Sequence, residues 1–484
     1  MTVDMNAIRG RNFQLLNQDQ IQAIHFATLE ILQTVGVKVL HEGALRLFAD
    51  VGATVDFGKQ WVKISPPLIE EWIKKAPSGF KLYARDESNH LELKEDVIHY
   101  TAAHTTPFVY DLDTGVRRPA TYQDAQHLSK LSDSLELIAD AYGMVYPRDV
   151  PDHAAHAYIL MAQINNSNKV LKGRVNGGHV ARDCIEMAEM VAGGEGEMGK
   201  KPNLYVLANC VSPLTLETSQ IEGLIEYASR GLPVIIASEI LAGGTGPITL
   251  AGTLVQQNAE VLSHIMLVQM VRPGAPVIYG SASSVMDMKN SNLRYGAVEQ
   301  GMIDVAVTQL ARYYGIPSRV SAGVTDSKML DMQAGYESAL NLLFASLAGP
   351  NIISYSAGGL DLAMSICYEK VVIDHEIIGS IVRTLRGITV DQECLAIEAI
   401  KSIGPGGQFL THRHTFDNFR RELFIPELAN TEKYTLWAKQ DQKDIKERAK
   451  ERVKHILEKH SPPVVDPHLL KELKRFVKTV EQRS

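Results

Sequence analysis

The sequence predicts an α/β protein: a (β/α)8 barrel of TIM type, with an N-terminal helical and β-hairpin extension and C-terminal helices. Three observations predict it. From about residue 135, short apolar, β-rich runs alternate with helical patterns. The runs are Ile138–Tyr142, Lys169–Arg174, Leu204–Asn209, Pro233–Ser238, Pro276–Ser281, Arg319–Gly323 and Ile352–Ser356. Strands that alternate with helices pair in parallel through right-handed crossovers, and this many units fit a barrel better than an open doubly wound sheet. No G-x-G-x-x-G opens the first helix, which weakens a dinucleotide reading.

The elements follow in order. Ile21, Ile24, Leu29, Ile31, Leu32 and Val35 fall at helical spacing, and Gly36 stops that helix. A second helix and a short hairpin complete residues 17–60. Pro66 opens an amphipathic helix with Leu68, Ile69, Trp72 and Ile73 inward. Residues 92–118 read as strands with a turn at Asp113-Thr114-Gly115. In the barrel, the helices include Thr218–Ser229, Leu250–Met270, Ala297–Tyr314 and Gln333–Leu347. The eighth strand comes from Gly407–Leu410 or from the earlier Tyr100–Tyr110 region. Within Glu432–His460, the residues Trp437, Ile445, Ala449, Val453, Ile456 and Leu457 mark one apolar face, which packs on the barrel or on a second subunit. The expected division is an extension over residues 1–130, a barrel catalytic domain over 131–415 and a helical extension over 416–484.

Composition narrows the class. The 484 residues carry 45% hydrophobic and 22% charged side chains, as an ordinary globular protein does. A formal charge of −7 gives no basic surface for nucleic acid or an anionic membrane. The opening MTVDMNAIRGRNF lacks the apolar core of a signal peptide, and even Leu254–Val271 is interrupted by Gln256, Gln257, Asn258, Glu260 and His264. Cys184, Cys210, Cys367 and Cys394 form no C-x-x-C pair and read as reduced thiols, so a cytoplasmic protein is expected.

In a barrel the residues just past each strand line one pocket. Here they are Tyr142, Arg174, Asn176, Asn209, Ser238, Glu239, Tyr279, Ser281, Thr325, Asp326, Tyr355 and Ser356. Aromatic, hydroxyl and amide groups dominate, which suits a small, partly apolar, zwitterionic ligand rather than a phosphate. The stretch Ser321–Glu337 leaves a strand, turns at Gly323 and enters a helix, bringing Asp326 and Lys328 to the mouth. The glycine-rich run Leu241–Gly252 lacks the G-x-x-x-x-G-K-[ST] spacing and reads as a close-packed loop. His153 with His156, and His412 with His414, have no carboxylate or cysteine at ligand spacing, so no metal site is assigned. A metal-dependent hydrolase built on those histidines is the rival that metal analysis would revive.

Four segments carry a family resemblance. The opening IHFATLEILQTVGVKV, ADVGATVD and PPLIEEWIKKAPSGFKLYARD come first, and GVRRPATYQDAQHLSKLSDSL precedes the barrel. TDSKMLDMQAGYE follows a late barrel strand, and GGQFLTHRHTF with FRRELFIPEL closes the series. In this order the chain resembles the trimethylamine methyltransferase family over essentially its whole length. The resemblance implies a barrel that passes a methyl group from a methylated amine to the cobalt of a separate corrinoid protein, with no tightly bound cofactor of its own. The founding branch carries pyrrolysine near Ser321–Glu337; this chain has only ordinary side chains there. It is therefore similar to the branch acting on quaternary amines, with glycine betaine as the first expectation. Carnitine, γ-butyrobetaine and proline betaine are alternatives, as is a non-catalytic betaine-binding protein.

A quaternary ammonium already bears a neutral leaving group, and cob(I)alamin is a strong nucleophile, so in-line positioning can carry the reaction. Aromatic faces hold an N-methyl cation with about 0.5–2 kcal/mol each; Tyr100, Phe108, Tyr142, Tyr279 and Tyr355 are the candidates. Donors for a substrate carboxylate are His104, Arg174, His412, Arg413 and His414. Asp326 and Glu239 are the expected catalytic carboxylates, complementing the ammonium, and Thr325 lies beside them. Homo-oligomerisation through terminal helices is expected.

Overall fold

A computed structural model describes residues 7–10, 13–102, 105–462 and 464–483. The first helix, Gln18–Thr34, starts at a capping box: Gln20 N–H donates to Asn17 Oδ1 and Asn17 N–H to Gln20 Oε1. It ends at Gly36, whose φ of +79° and contact with the Val62 carbonyl leave no room for a side chain. Helix Glu42–Asp50, the hairpin Thr54–Asp56/Trp61–Lys63 and helix Pro66–Ile73 come next, as the sequence predicts. Strand Val37–Val39 pairs in parallel with Thr215–Leu216 and ties this extension to the segment that follows strand Leu204–Cys210.

The central sheet has seven strands: β1 (His99–Tyr100), β2 (Leu171–Lys172), β3 (Leu204–Cys210), β4 (Val234–Ser238), β5 (Val277–Ser281), β6 (Ser318–Ser321) and β7 (Ile352–Ser354). Their order in space is β1-β7-β6-β5-β4-β3-β2, and every pairing is parallel. This is the curled α/β sheet of a TIM-type barrel. Residues 138–140 stand between its two edges, with parallel bridges Tyr100↔Ile138 and Asp140↔Val170. Of the two places expected for the remaining strand, the sheet uses the start of the earlier region, at His99–Tyr100. Residues 407–410 lie outside any sheet, because the chain leaves the barrel after Leu385. β1 also precedes residue 131, so barrel pairing begins ahead of the expected boundary.

The helices that border the sheet and its rim include α1 (Tyr122–Ser134), α2 (Leu250–Val271), α3 (Val298–Tyr314), α4 (Met332–Ala348) and α5 (Tyr368–Leu385). Register tells which strand residues face them. Tyr279 of β5 donates to Asn258 of α2 (2.9 Å), and Tyr100 of β1 shares a 2.8 Å hydrogen bond with Ser346 of α4. The alternate residues Gly280 and Arg319, paired across β5 and β6, face the lumen. Helix Ile445–Lys459 buries Ala449, Val453 and Ile456 against α5 and α1, whereas Ile445 of the expected face stays exposed and Trp437 belongs to a separate short helix, Tyr434–Trp437. Helix Pro467–Glu481 buries Leu473, Phe476, Val477 and Val480.

Candidate active site at the barrel mouth

Two small sheets rise beyond the C-terminal ends of the barrel strands. Leu241–Ala242, Ser284–Met286 and Leu293–Arg294 form one. Phe108–Tyr110, Arg117–Pro119, Gly359–Leu360 and Ser365–Cys367 form the other. The loop entering α4 joins them. On one side Gly296 N–H donates to Asp326 Oδ1 (2.9 Å), and Arg294 lies 3.6 Å from Asp326 Oδ2. On the other, Lys328 lies 3.8 Å from Asp361, and Tyr110 donates to the Lys328 carbonyl. Glu337, buried on α4, accepts from the Thr325 hydroxyl, from Asp326 N–H (2.9 Å) and from Gln333 Nε2 (2.9 Å). Burial, with Glu337 adding to it, pushes the Asp326 carboxyl above its ordinary range. The cap of α4 is Asp331, which accepts from Ala334 N–H, so Asp326 does not serve as that cap.

Beneath this rim lies a polar lumen. Tyr355, at the end of β7, has a φ of +61°, a strained conformation for a bulky side chain. Its neighbour across the turn is Gly323 (φ +105°), where a Cβ would come within 2.7 Å of the Tyr355 carbonyl. The Tyr355 ring lies edge-on to Tyr295, at 6.3 Å between centroids. Tyr295 donates to Glu239 Oε1 (2.8 Å). The Arg319 guanidinium sits 5.2 Å from the Tyr355 ring and donates to the Ser281 carbonyl (2.6 Å). Lys172 Nζ sits 4.8 Å from the centre of the Tyr142 ring. Asp140 accepts from Tyr205 Oη (3.0 Å) and Ala102 N–H (3.0 Å). Burial draws the Lys172 ammonium down to about 7, and burial raises the Asp140 carboxyl.

The expected site residues therefore separate. Tyr142, Glu239, Thr325, Asp326 and Tyr355 stand at or below the mouth. Arg174 joins them, with its guanidinium 5.6 Å from the Tyr146 ring. Phe108 is in the second rim sheet, its ring covered by Arg117 at 3.6 Å. Tyr100 and Tyr279 are turned into the helix layer, because register puts them on the outer face of the sheet. His412 and His414 lie far along the chain, where His412 caps helix Arg413–Glu422 by accepting from His414 N–H. His104 lies outside the described residues. His153 and His156 have separate partners, the Glu481 carbonyl and Asp183.

Arg319, Lys172, Asp140, Tyr205, Tyr295 and Glu337 were missed by sequence reasoning. A lone Arg or Lys within an apolar strand, as in IPSRVSAG and KVLKGRV, is the signal that could have found two of them. A cleft of about 710 Å³ opens at the opposite face, around Lys94, Asp96, Arg312 and Pro317. It borders the N-terminal ends of β6 and β7, whereas barrel chemistry is placed at C-terminal ends.

The curled parallel sheet thus brings buried cations, tyrosine faces and rim carboxylates to one lumen. Comparison with known proteins supplies the family. The trimethylamine methyltransferase family model matches residues 2–483, and the chain belongs to that family of methyltransferases. A glycine betaine methyltransferase of Desulfitobacterium hafniense (strain Y51) is 40% identical over 96% of this chain and 96% of its own length. A trimethylamine methyltransferase of Desulfitobacterium hafniense (strain DSM 10664 / DCB-2) is 34% identical over 98% of this chain and 95% of its own. Another, of Methanosarcina mazei, is 36% identical over 98% and 96%. Among solved structures, the hydroxylamine MtmB complex aligns with a TM-score of 0.46 at 12% identity, covering 96% of this chain and 97% of that one.

Proposed function

We propose that this chain transfers a methyl group from a quaternary amine, with glycine betaine first among candidates, to the Co(I) of a corrinoid carried by a separate protein. The observation that carries the reading is the lumen, where tyrosine faces and rim carboxylates meet buried cations, as a zwitterionic ammonium requires. The 40% identity to a glycine betaine methyltransferase supports it. In the proposed step Co(I) attacks one N-methyl carbon opposite the nitrogen. The C–N bond breaks and its electron pair stays on nitrogen, giving a neutral tertiary amine and methyl-Co(III). The protein holds the cation with Tyr142, Tyr295 and Tyr355, aligns one methyl outward and excludes water. Asp326 and Glu239 offset the ammonium charge. Positive charge leaves the nitrogen as the methyl departs, so a loose cage favours the transition state over the bound substrate.

Within this reading the corrinoid protein docks over the two rim sheets. The chain folds as an N-terminal extension, a complete (β/α)8 barrel and C-terminal helices, with β1 drawing the first boundary ahead of residue 99. It is a cytoplasmic homo-oligomer; among the described residues, no helix is long and apolar enough to cross a membrane. The test is to incubate the purified protein with cob(I)alamin and each of glycine betaine, carnitine, γ-butyrobetaine and proline betaine. Methylcobalamin absorbance with a matching tertiary amine is expected from at least one. Its absence with all of them overturns the proposal.

A further inference from the structure

We infer that Lys172 binds the carboxylate of the substrate, so that the site selects quaternary amines that carry a carboxylate and orients them with the ammonium toward the rim. This rests on the activity proposed above and names its substrate class. The argument begins with depth. Lys172 pairs in register with Tyr205, at the N-terminal end of β3, whereas Glu239 follows the last residue of β4. Lys172 therefore lies lower in the lumen than the rim carboxylate Glu239.

The donors of Arg319 and Lys172 are incompletely used. Asp140, the carboxylate nearest Lys172 in charge coupling, is already engaged by Tyr205 and the Ala102 amide. Arg319 has none of its surface exposed, and among the described residues nothing accepts from its Nε or Nη2. Asp304 of α3 is the carboxyl coupled to it, and burial pushes that carboxyl well above its usual range. The Arg319 guanidinium and the Lys172 amine thus keep donors that Asp140 and Asp304 do not take up, and such donors attract an anion. Lys172 is the member within reach of a ligand: it keeps a small exposed surface, while Arg319 has none. Along β3 the residues on the Tyr205 face, Leu207 and Asn209, keep part of their surface open. No side chain among the described residues donates to Asn209 Oδ1.

The test compares ligands and variants. Wild-type protein is assayed for methyl transfer to cob(I)alamin, and by calorimetry for binding, with glycine betaine, its methyl ester and tetramethylammonium. The wild type is expected to prefer the free carboxylate by about 10–100-fold, the range of a charge-assisted hydrogen bond. Lys172→Met should raise the KM for betaine by a similar factor, leave kcat within a few-fold and leave tetramethylammonium binding unchanged. Lys172→Arg should restore most of the preference. Equal use of betaine and its ester by the wild type overturns the inference, as does an unchanged KM in a folded Lys172→Met. Should Lys172→Met fail to fold, the wild-type ligand series decides alone. If no ligand yields methylcobalamin, the proposed activity falls, and the calorimetric preference still decides the carboxylate site: tighter binding of betaine than of tetramethylammonium supports it, and equal binding overturns it.

Discussion

Glu337 takes two hydrogen bonds from the loop it supports, so its removal exposes the weakness of that loop. In Glu337→Ala the Asp326 amide and the Thr325 hydroxyl lose their acceptor inside a buried pocket. A loss of about 2–4 kcal/mol is expected in denaturant titration, with methyl transfer falling because Asp326 is no longer held. Lys172 gives a pH signature. Its ammonium is drawn from 10.5 to about 7 in the folded chain. Between those values the unfolded chain binds more protons, so this residue makes stability rise with pH across the window. Lys172→Met should flatten that rise in unfolding free energy measured from pH 7 to pH 10. At this scale the sequence was legible where side chains follow strand ends, as for Glu239, Asp326 and Tyr355. It was illegible for Tyr100 and Tyr279, because a strand's inward and outward faces differ by a single residue of register. Arg319 and Lys172 were hidden for the related reason that buried charges interrupt a strand without altering its pattern.

Among elements, α5 is fixed to the barrel by a buried ion pair. Lys370 Nζ donates to Asp374 Oδ2 (2.6 Å), to the Gly323 carbonyl (2.9 Å) and to Ser338 Oγ (2.8 Å), while Gly358 N–H donates to the same Asp374 oxygen (2.8 Å). The pair joins the loops that follow β6 and β7. Lys370→Met leaves Asp374 buried without its cation, and denaturant unfolding should show a loss of about 3–5 kcal/mol. Asp331→Ala, which removes the α4 cap, should cost about 1 kcal/mol by the same measurement and leave the ligand preference intact. The helices and most strands were legible because their periodicities are strong and their ends are marked by caps and glycines. The strand at His99–Tyr100 is too short to show a period, and its pairing depends on β7, more than 250 residues away in sequence.

For the whole molecule, the region after Leu385 exposes apolar side chains that a lone chain has no reason to keep. Ile388, Val390, Leu410 and Phe416 are each at least 74% exposed. A second copy of the chain is the predicted cover for these side chains. Light scattering should give a mass that is a multiple of 53.4 kDa, and Leu410→Glu with Phe416→Glu should lower it without unfolding the barrel. The family was legible from four dispersed segments, whereas the route of residues 386–444 was not, since it contains few buried positions. The bridges around residues 138–140 carry a last consequence. There the sheet is joined by isolated pairs, and Lys169 substitutes for a ladder by donating to the carbonyls of Ser132, Leu135 and Ile138 at 2.6–2.7 Å. The barrel thus has a seam, a hoop fastened by one ammonium rivet rather than woven shut. Amide protons near Ala139 and Ala141 should exchange with solvent well before those of β4 and β5, and the ring should open there first.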